Sequence, residues 1–395
     1  MHRRTKKTVK KYRKIVNCFS KVSLFPYIFN NFIQCIKLKD IKRVFYISIL
    51  VIILLIPFFL GTVKSSFNIQ QQHTWGGNHL EEAYGIALDS NGNIFITGYT
   101  KSFANGWMDV AFLKFSSSGS LLWQKTWGKD GSHDDGGEAV MVDSNNNIYL
   151  LATVAYNSPD FSDNYDTGIL KLDPNGNIIW GKIIGTSQPQ EGPLDFVMDS
   201  MGNIYIVGYT SDGPIGQKDI TLFKLDNNGN LLWSKVIGGQ KNEDDYWGIA
   251  IDSNNNVYVT SSTNSFGPGA PTHDDILIVK LDSNGNLIWA KTWGIPNDSE
   301  TATDVAVDSS NNVYITGTVP RGDLTQGNNV ALAKFDSNGN LLWSRDWGGN
   351  NGDWGWKIDF DSSNNVYVAG GSQSFDINGA TVGIIVKFDS SGNYI

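Results

Sequence analysis

Six times along the chain an apolar segment runs into Asp-Ser and then into an Asn-rich turn. The pairs are Asp89-Ser90, Asp143-Ser144, Asp199-Ser200, Asp252-Ser253, Asp308-Ser309 and Asp361-Ser362, at spacings of 54, 56, 53, 56 and 53 residues. Self-similarity at a fixed period of this size marks a repeat architecture. Each copy is one supersecondary unit that buries its apolar faces on its neighbours.

The pattern inside each copy predicts four short strands and no helix. Strand A precedes Asp-Ser (YGIAL, 84–88; TDVAV, 303–307). Strand B follows the turn (IFITGYT, 94–100; IYIVGYT, 204–210; VYITGTV, 313–319) and has an aromatic second residue throughout: Phe95, Tyr149, Tyr205, Tyr258, Tyr314 and Tyr367. Strand C (DVAFLKF, 109–115; DITLFKL, 219–225; DILIVKL, 275–281) enters a tight turn such as Asp282-Ser283-Asn284-Gly285-Asn286. Strand D follows it (LLWQKTW, 121–127; LLWSKVI, 231–237; LIWAKTW, 287–293). β-Branched and aromatic residues joined by Asn-Gly turns are hairpin chemistry, because Asn and Gly accept the positive φ those turns need. Four antiparallel strands repeated radially make a propeller blade. The 13 tryptophans all lie beyond residue 74 and suit large wedges between blades.

These segments resemble the SBBP family of β-propeller repeats. The resemblance rests on the [IV]-[FY]-[ILV] strand after D-S-x-x-N and on L-D-x-x-G-N-L-x-W-x-K-x-W-G, and it covers residues 69 to 395. It implies an all-β propeller. That family is named for seven blades, whereas six copies are present here. The expected fold is therefore one propeller of six four-stranded blades, with a truncated seven-bladed propeller as the alternative.

The ends of the repeat region predict a closure. The last copy stops at Gly392-Asn393-Tyr394-Ile395, where strand D begins. Ile69 to Gly76 aligns with strand D, with Gln71 in place of its first Trp. Residues 69–75 are expected to complete the last blade, pairing beside Ile384 to Phe388 and removing two sheet edges.

Charge divides the chain. Residues 1–43 hold 13 Lys/Arg and one acid, a net of +12, so the other 352 residues carry −20 within a total of −8. Between them Val44 to Val63 is an uncharged apolar run of 20 residues, long enough at about 1.5 Å per residue to span a bilayer core of about 30 Å. The expected organisation is a basic cytoplasmic segment (1–43), a transmembrane signal anchor (44–63), a linker (64–68) and an extracytoplasmic propeller at the cell surface (69–395). A cleavable signal peptide is the competing reading, against which stand the long basic leader and the poor cleavage site Gly61-Thr62-Val63-Lys64. Both cysteines, Cys18 and Cys35, precede the exported part, which rules out a disulfide framework there.

Eight residues before each strand-A Asp stands an acid: Glu81, Asp135, Glu191, Asp244, Glu300 and Asp353. Six carboxylates around one mouth of the central channel are the candidate metal site, with Ca²⁺ the cation they suit. The competing role is bonding to each acid's own loop. No other cofactor is expected. A strand-C lysine also recurs (Lys114, Lys171, Lys224, Lys280, Lys334, Lys387), in four copies preceded at five residues by Asp109, Asp166, Asp219 or Asp275; a within-blade hydrogen bond or ion pair is its expected role. The D-S-N-G-N turns lack the twelfth-position Glu and flanking helices of an EF-hand and read as turns. Arg321-Gly322-Asp323 is a three-residue match that arises by chance.

The sequence has no H-E-x-x-H, G-x-S-x-G, P-loop or Cys-pair pattern. The excess of negative charge argues against nucleic acid. The expectation is a non-enzymatic binding or scaffold module, presenting variable B–C and D–A loops to a protein or glycan partner. An extracytoplasmic enzyme, quinone-dependent or glycan-active, is the alternative; it requires blade-specific residues that break the repeat. A purely structural surface protein is the third reading.

Overall fold

The computed structural model describes residues 74–395 apart from 106, 129–133, 157–163, 186–190, 212–217, 244–247, 297, 321–326 and 376–379. The segments expected to form the basic leader, the anchor and the linker lie outside the described residues. Among the described residues no helix is long and apolar enough to cross a membrane.

His73 to Ile395 is one compact unit of six antiparallel sheets. Blade 1 comprises β1 (Glu81–Leu88), β2 (Ile94–Thr100), β3 (Asp109–Phe115) and β4 (Leu121–Trp127). Blade 2 comprises β5 (Gly136–Val142), β6 (Ile148–Tyr156), β7 (Asn164–Leu172) and β8 (Ile178–Ile184). Blade 3 follows with β9 (Glu191–Met198), β10 (Ile204–Thr210), β11 (Asp219–Leu225) and β12 (Leu231–Ile237). Blade 4 has β13 (Gly248–Ile251), β14 (Val257–Thr263), β15 (Asp275–Leu281) and β16 (Leu287–Trp293). Blade 5 has β17 (Thr301–Val307), β18 (Val313–Val319), β19 (Asn329–Phe335) and β20 (Leu341–Trp347). Blade 6 has three strands, β21 (Asp353–Phe360), β22 (Val366–Ser372) and β23 (Val382–Phe388). The expected all-β propeller of six blades is what forms, with three strands of the last blade among the described residues.

The turns explain the repeated sequence. In Asp89 to Asn93, Asp89 Oδ1 accepts the backbone N–H groups of Asn91 and Asn93 at 2.9 Å, and Asn93 Nδ2 donates to Asp89 Oδ2 at 2.8 Å. The same set recurs at Asp252 and Asp282. Left-handed backbone falls on Asn146, Asn255, Asn311 and Asn364 or on glycine, as at Gly92 and Gly285. Oδ1 of each of these aspartates is spent on the backbone of its own turn.

Blades join face to face through one recurring arrangement. Phe112 and Val140 share an apolar cluster across blades 1 and 2, and Leu222 shares one with Ile249 across blades 3 and 4. The strand-D indole packs edge-on against the strand-B ring of its own blade, as Trp233 does on Tyr205 at 5.9 Å. Its N–H reaches the following blade's turn, at Ser283 O, 3.3 Å away. The strand-C lysine does the same: Lys224 Nζ donates to Ser283 O at 2.8 Å while lying 4.8 Å over the Tyr205 ring. Its acidic partner is the A–B turn aspartate, as in Lys280–Asp252 at 3.5 Å and Lys334–Asp308 at 3.5 Å. The acid five residues earlier is not that partner, since residues an odd number apart on a strand face opposite sides.

The strand expected to close the last blade falls almost wholly outside the described residues. Residues 69–73 lie outside the described residues. Trp75 lies against blade 1, donating its indole N–H to Gln124 Oε1 at 2.7 Å with its ring 5.0 Å from Phe103. The outer edge of β23 is met instead by the chain's own end, through a Phe388–Tyr394 bridge and the Ile395 N–H to Lys387 O at 3.0 Å. The innermost strands pack in succession, β1 on β5, β5 on β9, β9 on β13, β13 on β17 and β17 on β21, and β21 is not packed on β1 in this way.

Candidate functional site

The acids at the loop-side ends of the innermost strands are bonded to protein. Glu81 accepts the N–H groups of Gly77 (3.1 Å) and Ser102 (3.0 Å) and the Thr100 hydroxyl (3.1 Å). Asp135 Oδ1 accepts the Ala155 N–H at 2.9 Å, and Asp353 Oδ2 accepts the Gly349 N–H and the Ser374 hydroxyl, each at 2.7 Å. In blade 4 the position belongs to Glu243, whose Oε2 accepts the Gly239 N–H at 3.0 Å. Asp244 itself lies outside the described residues, as does the carboxylate of Glu191. The offset arises because Glu243 stands nine residues before Asp252 where the other blades have eight. In blades 2, 4 and 5 the acid also ties blades together: the Asp135, Glu243 and Glu300 N–H groups donate to the Met108, Lys218 and Asp274 carbonyls of the preceding blade, each at 2.8 Å. Among the described residues no group of three or more His, Cys, Asp or Glu is arranged to hold a metal ion.

Between blades 4 and 5 this bracing carries a strained pair of carboxyls. Glu300 and Asp275 are both fully buried, and both have an oxygen within 2.6 Å of where a Cβ on Gly294 would stand. Glu300 Oε2 accepts the Ile295 N–H at 3.1 Å and Asp275 Oδ2 the Gly269 N–H at 2.8 Å. Glu300 Oε1 and Asp275 Oδ1 accept no hydrogen bond. Burial, with Asp275 alongside, pushes Glu300 up to about 7, and burial raises Asp275 as well.

The axis-lining strands hold a different feature, which breaks the repeat. β1, β5, β9, β17 and β21 each carry a β-bulge at the same place, where Ala83/Gly85, Gly137/Ala139, Pro193/Asp195, Ala302/Asp304 and Gly355/Lys357 flank one extra residue. Bulges re-aim side chains and concentrate beside functional sites. The bulged residues are Tyr84, Glu138, Leu194, Thr303 and Trp356. The position after the bulge, four before the turn Asp, reads Gly85, Ala139, Asp195, Gly248, Asp304 and Lys357. Three blades are small there and three are charged.

The three charges meet. Lys357 Nζ of blade 6 lies 2.6 Å from Asp195 Oδ2 of blade 3 and 3.6 Å from Asp304 Oδ1 of blade 5. Asp304 Oδ2 also accepts the Ile358 N–H at 3.0 Å. Burial pushes the Asp304 carboxyl up, and the Lys357 ammonium works against that rise. Burial disfavours the ammonium of Lys357, but Asp195 and Asp304 together outweigh it and hold it charged. Nearby in the repeat, burial raises Glu138 to about 7, and the Thr153 hydroxyl, 2.8 Å away, is the group opposing it. Tyr84, more than half exposed, donates to Glu82 Oε2 at 2.8 Å and lies 5.7 Å from the Tyr99 ring. Trp356 is also exposed. The axial wall thus combines exposed aromatics, a charged Lys–Asp–Asp set and a carboxyl poised to exchange a proton near neutral pH.

None of these residues was singled out as a sequence candidate. Their signal was present in the columns four and five residues before Asp-Ser, which differ from blade to blade while the surrounding columns repeat.

Comparison with known proteins supports the repeat and the fold. The family model for SBBP, a beta-propeller repeat, matches residues 76–105, 232–267 and 288–318. No curated protein matches the chain. A polysaccharide lyase of the PL25 ulvan lyase family, solved bound to -[GlcA(1-4)Rha3S]-, is 10% identical with a TM-score of 0.53, over 78% of this chain and 80% of that one. A gluconolactonase from Xanthomonas campestris is 14% identical with a TM-score of 0.40, over 73% and 82%. A Hadza microbial sialidase is 9% identical with a TM-score of 0.48, over 72% and 62%.

The expectation that the chain is not an enzyme is corrected by these findings. A polysaccharide lyase is among the solved structures that share its fold. The blade-specific titratable residues whose absence supported that expectation are present on the axial wall. A propeller by itself establishes no activity.

Proposed function

We propose, for a chain that carries SBBP β-propeller repeats, that the axial end of the propeller engages a glycan chain and that Glu138 supplies a proton-transfer group there. The observation that carries this reading is the departure from the repeat in two adjacent columns, which places Tyr84, Glu138, Trp356 and the Lys357–Asp195–Asp304 set on the axis-lining strands. Flat aromatic faces with a few fixed polar groups are what sugar rings stack on and bond to. The lyase that shares the fold was solved with an oligosaccharide; the same ligand class is proposed here on the chemistry of this wall. The uncharged run Val44–Val63 and the charge contrast around it support presentation of the propeller outside a membrane.

Titration calorimetry of the purified chain against a panel of neutral and acidic oligosaccharides, with products analysed by mass spectrometry, tests the proposal. Binding that Trp356→Ala weakens about tenfold is expected, as is Glu138→Gln retaining binding while losing any turnover. A wild-type chain that binds no glycan, or one whose binding ignores Trp356→Ala, contradicts it.

A further inference from the structure

Two faces of the propeller are halves of an interface that the chain makes five times over. In strand C the residue two before the lysine faces the next blade, and Phe112, Ile169, Leu222, Ile278 and Leu332 are 0–3% exposed there. Its blade-6 counterpart, Ile385, is 56% exposed. In strand A the residue three before the turn Asp receives that contact, and Val140, Phe196, Ile249, Val305 and Ile358 are 2–7% exposed. Its blade-1 counterpart, Ile86, is 70% exposed. In all five interfaces the two positions share one apolar cluster: Phe112 with Val140, Ile169 with Phe196, Leu222 with Ile249, Ile278 with Val305, and Leu332 with Ile358.

The polar half of the interface is also in place. Lys114, Lys224, Lys280 and Lys334 reach a turn carbonyl of the next blade, at Pro174 (3.0 Å), Ser283 (2.8 Å), Ser337 (3.1 Å) and Ser390 (3.3 Å). Lys387, the blade-6 lysine, stays with Asp361 at 3.2 Å and Tyr367 at 4.8 Å, its side chain 32% exposed. The matching acceptor on blade 1 is the carbonyl of Ser117, a residue that is exposed. Within one chain the two faces are not packed together, and Lys357 holds blade 6 to blades 3 and 5.

We propose that the open face of blade 6, centred on Ile385, docks onto β1 of a second copy of this chain, centred on Ile86. The contact is heterologous, face against unlike face, so it propagates head to tail. Ile385 packs against Ile86 of the neighbour as Phe112 does against Val140, and Lys387 donates to the neighbour's Ser117 carbonyl.

Sedimentation of the full-length chain tests this. Wild type is expected to form concentration-dependent oligomers, and Ile385→Glu and Ile86→Glu each to be monomeric. An equimolar mixture of the two variants is expected to recover a dimer and nothing larger, since each variant keeps one intact face and the dimer uses both. A wild-type chain that stays monomeric, single variants that still oligomerise, or a mixture that stays monomeric overturns the proposal. Should a variant fail to fold, Ser117→Cys with Lys387→Cys in a chain carrying Cys18→Ser and Cys35→Ser decides. Disulfide-linked dimers and larger species support docking between copies, and a bond formed within one chain overturns it.

Discussion

Lys357 and Asp195 stand 162 residues apart in the chain, and their side chains meet at 2.6 Å. Their strands belong to blades 3 and 6, so the pair ties the propeller together through its middle. The buried Asp304 carboxyl depends on the same ammonium. Replacing Lys357 with Met leaves Asp304 buried without a cation. The expected cost is about 2 kcal/mol in urea denaturation, below the roughly 3–5 kcal/mol of a wholly buried pair because Lys357 is half exposed. Adding Asp304→Asn to the Lys357→Met chain should recover part of that loss; a double variant less stable than either single one would speak against the pairing.

Glu300 makes stability depend on pH in a definite direction. Its folded pKa of about 7 lies above its ordinary value of 4.5, so between these limits the folded chain binds more protons than the unfolded one. Stability therefore falls as pH rises through that window, by up to about 3 kcal/mol from this group. The difference in unfolding free energy between Glu300→Gln and wild type should grow in favour of the variant from pH 4.5 to pH 8. A difference that stays flat with pH rejects the buried pair with Asp275.

The strand-C lysines test how blades are coupled. Lys280 bridges Asp252, the Tyr258 ring and Ser337 O of the next blade, so Lys280→Met is expected to cost about 3 kcal/mol. Lys387 makes only the within-blade contacts among those described, and its solvent-screened ion pair with Asp361 leaves Lys387→Met with the smaller loss. Equal losses for Lys280→Met and Lys387→Met in thermal melts would show that the lysine acts within its own blade.

A strand-B glycine beside the bulge and a strand-C glycine away from it test the close approach. A Cβ at Gly317 would stand 1.8 Å from the Thr301 carbonyl oxygen, whereas one at Gly383 meets nothing within 4 Å. Gly317→Ala should destabilise by about 2 kcal/mol or more and Gly383→Ala by almost nothing. Comparable melting temperatures for both variants would mean that the close approach of β17 to β18 is not needed.

Much of this fold was legible in the residues. Strands Ile94–Thr100, Asp109–Phe115, Leu121–Trp127 and Leu287–Trp293 coincide with the expected segments, because Asn-Gly turns at fixed intervals pin both ends of each hairpin. β1 begins at Glu81, earlier than the expected 84, since the bulge at Tyr84 lets the strand continue past a break in its alternation. The register of Glu243 was hidden by one added residue before β13. The within-blade ion pair of the strand-C lysine was legible, while its partner, the A–B turn aspartate, is set by strand pairing rather than by spacing along one strand. The axial set was missed for a deeper reason: the meeting of Asp195, Asp304 and Lys357 is a property of the ring, and no local pattern records which blades face one another.

Hydrogen exchange of the glycan-saturated chain, read peptide by peptide, tests the central claim most directly. Slowed exchange is predicted in the segments around Tyr84, Glu138, Asp195 and Trp356, with the A–B turns and the strand-D rim unchanged. Protection confined to the rim or to those turns, with the four axial segments exchanging as in the free chain, would contradict it.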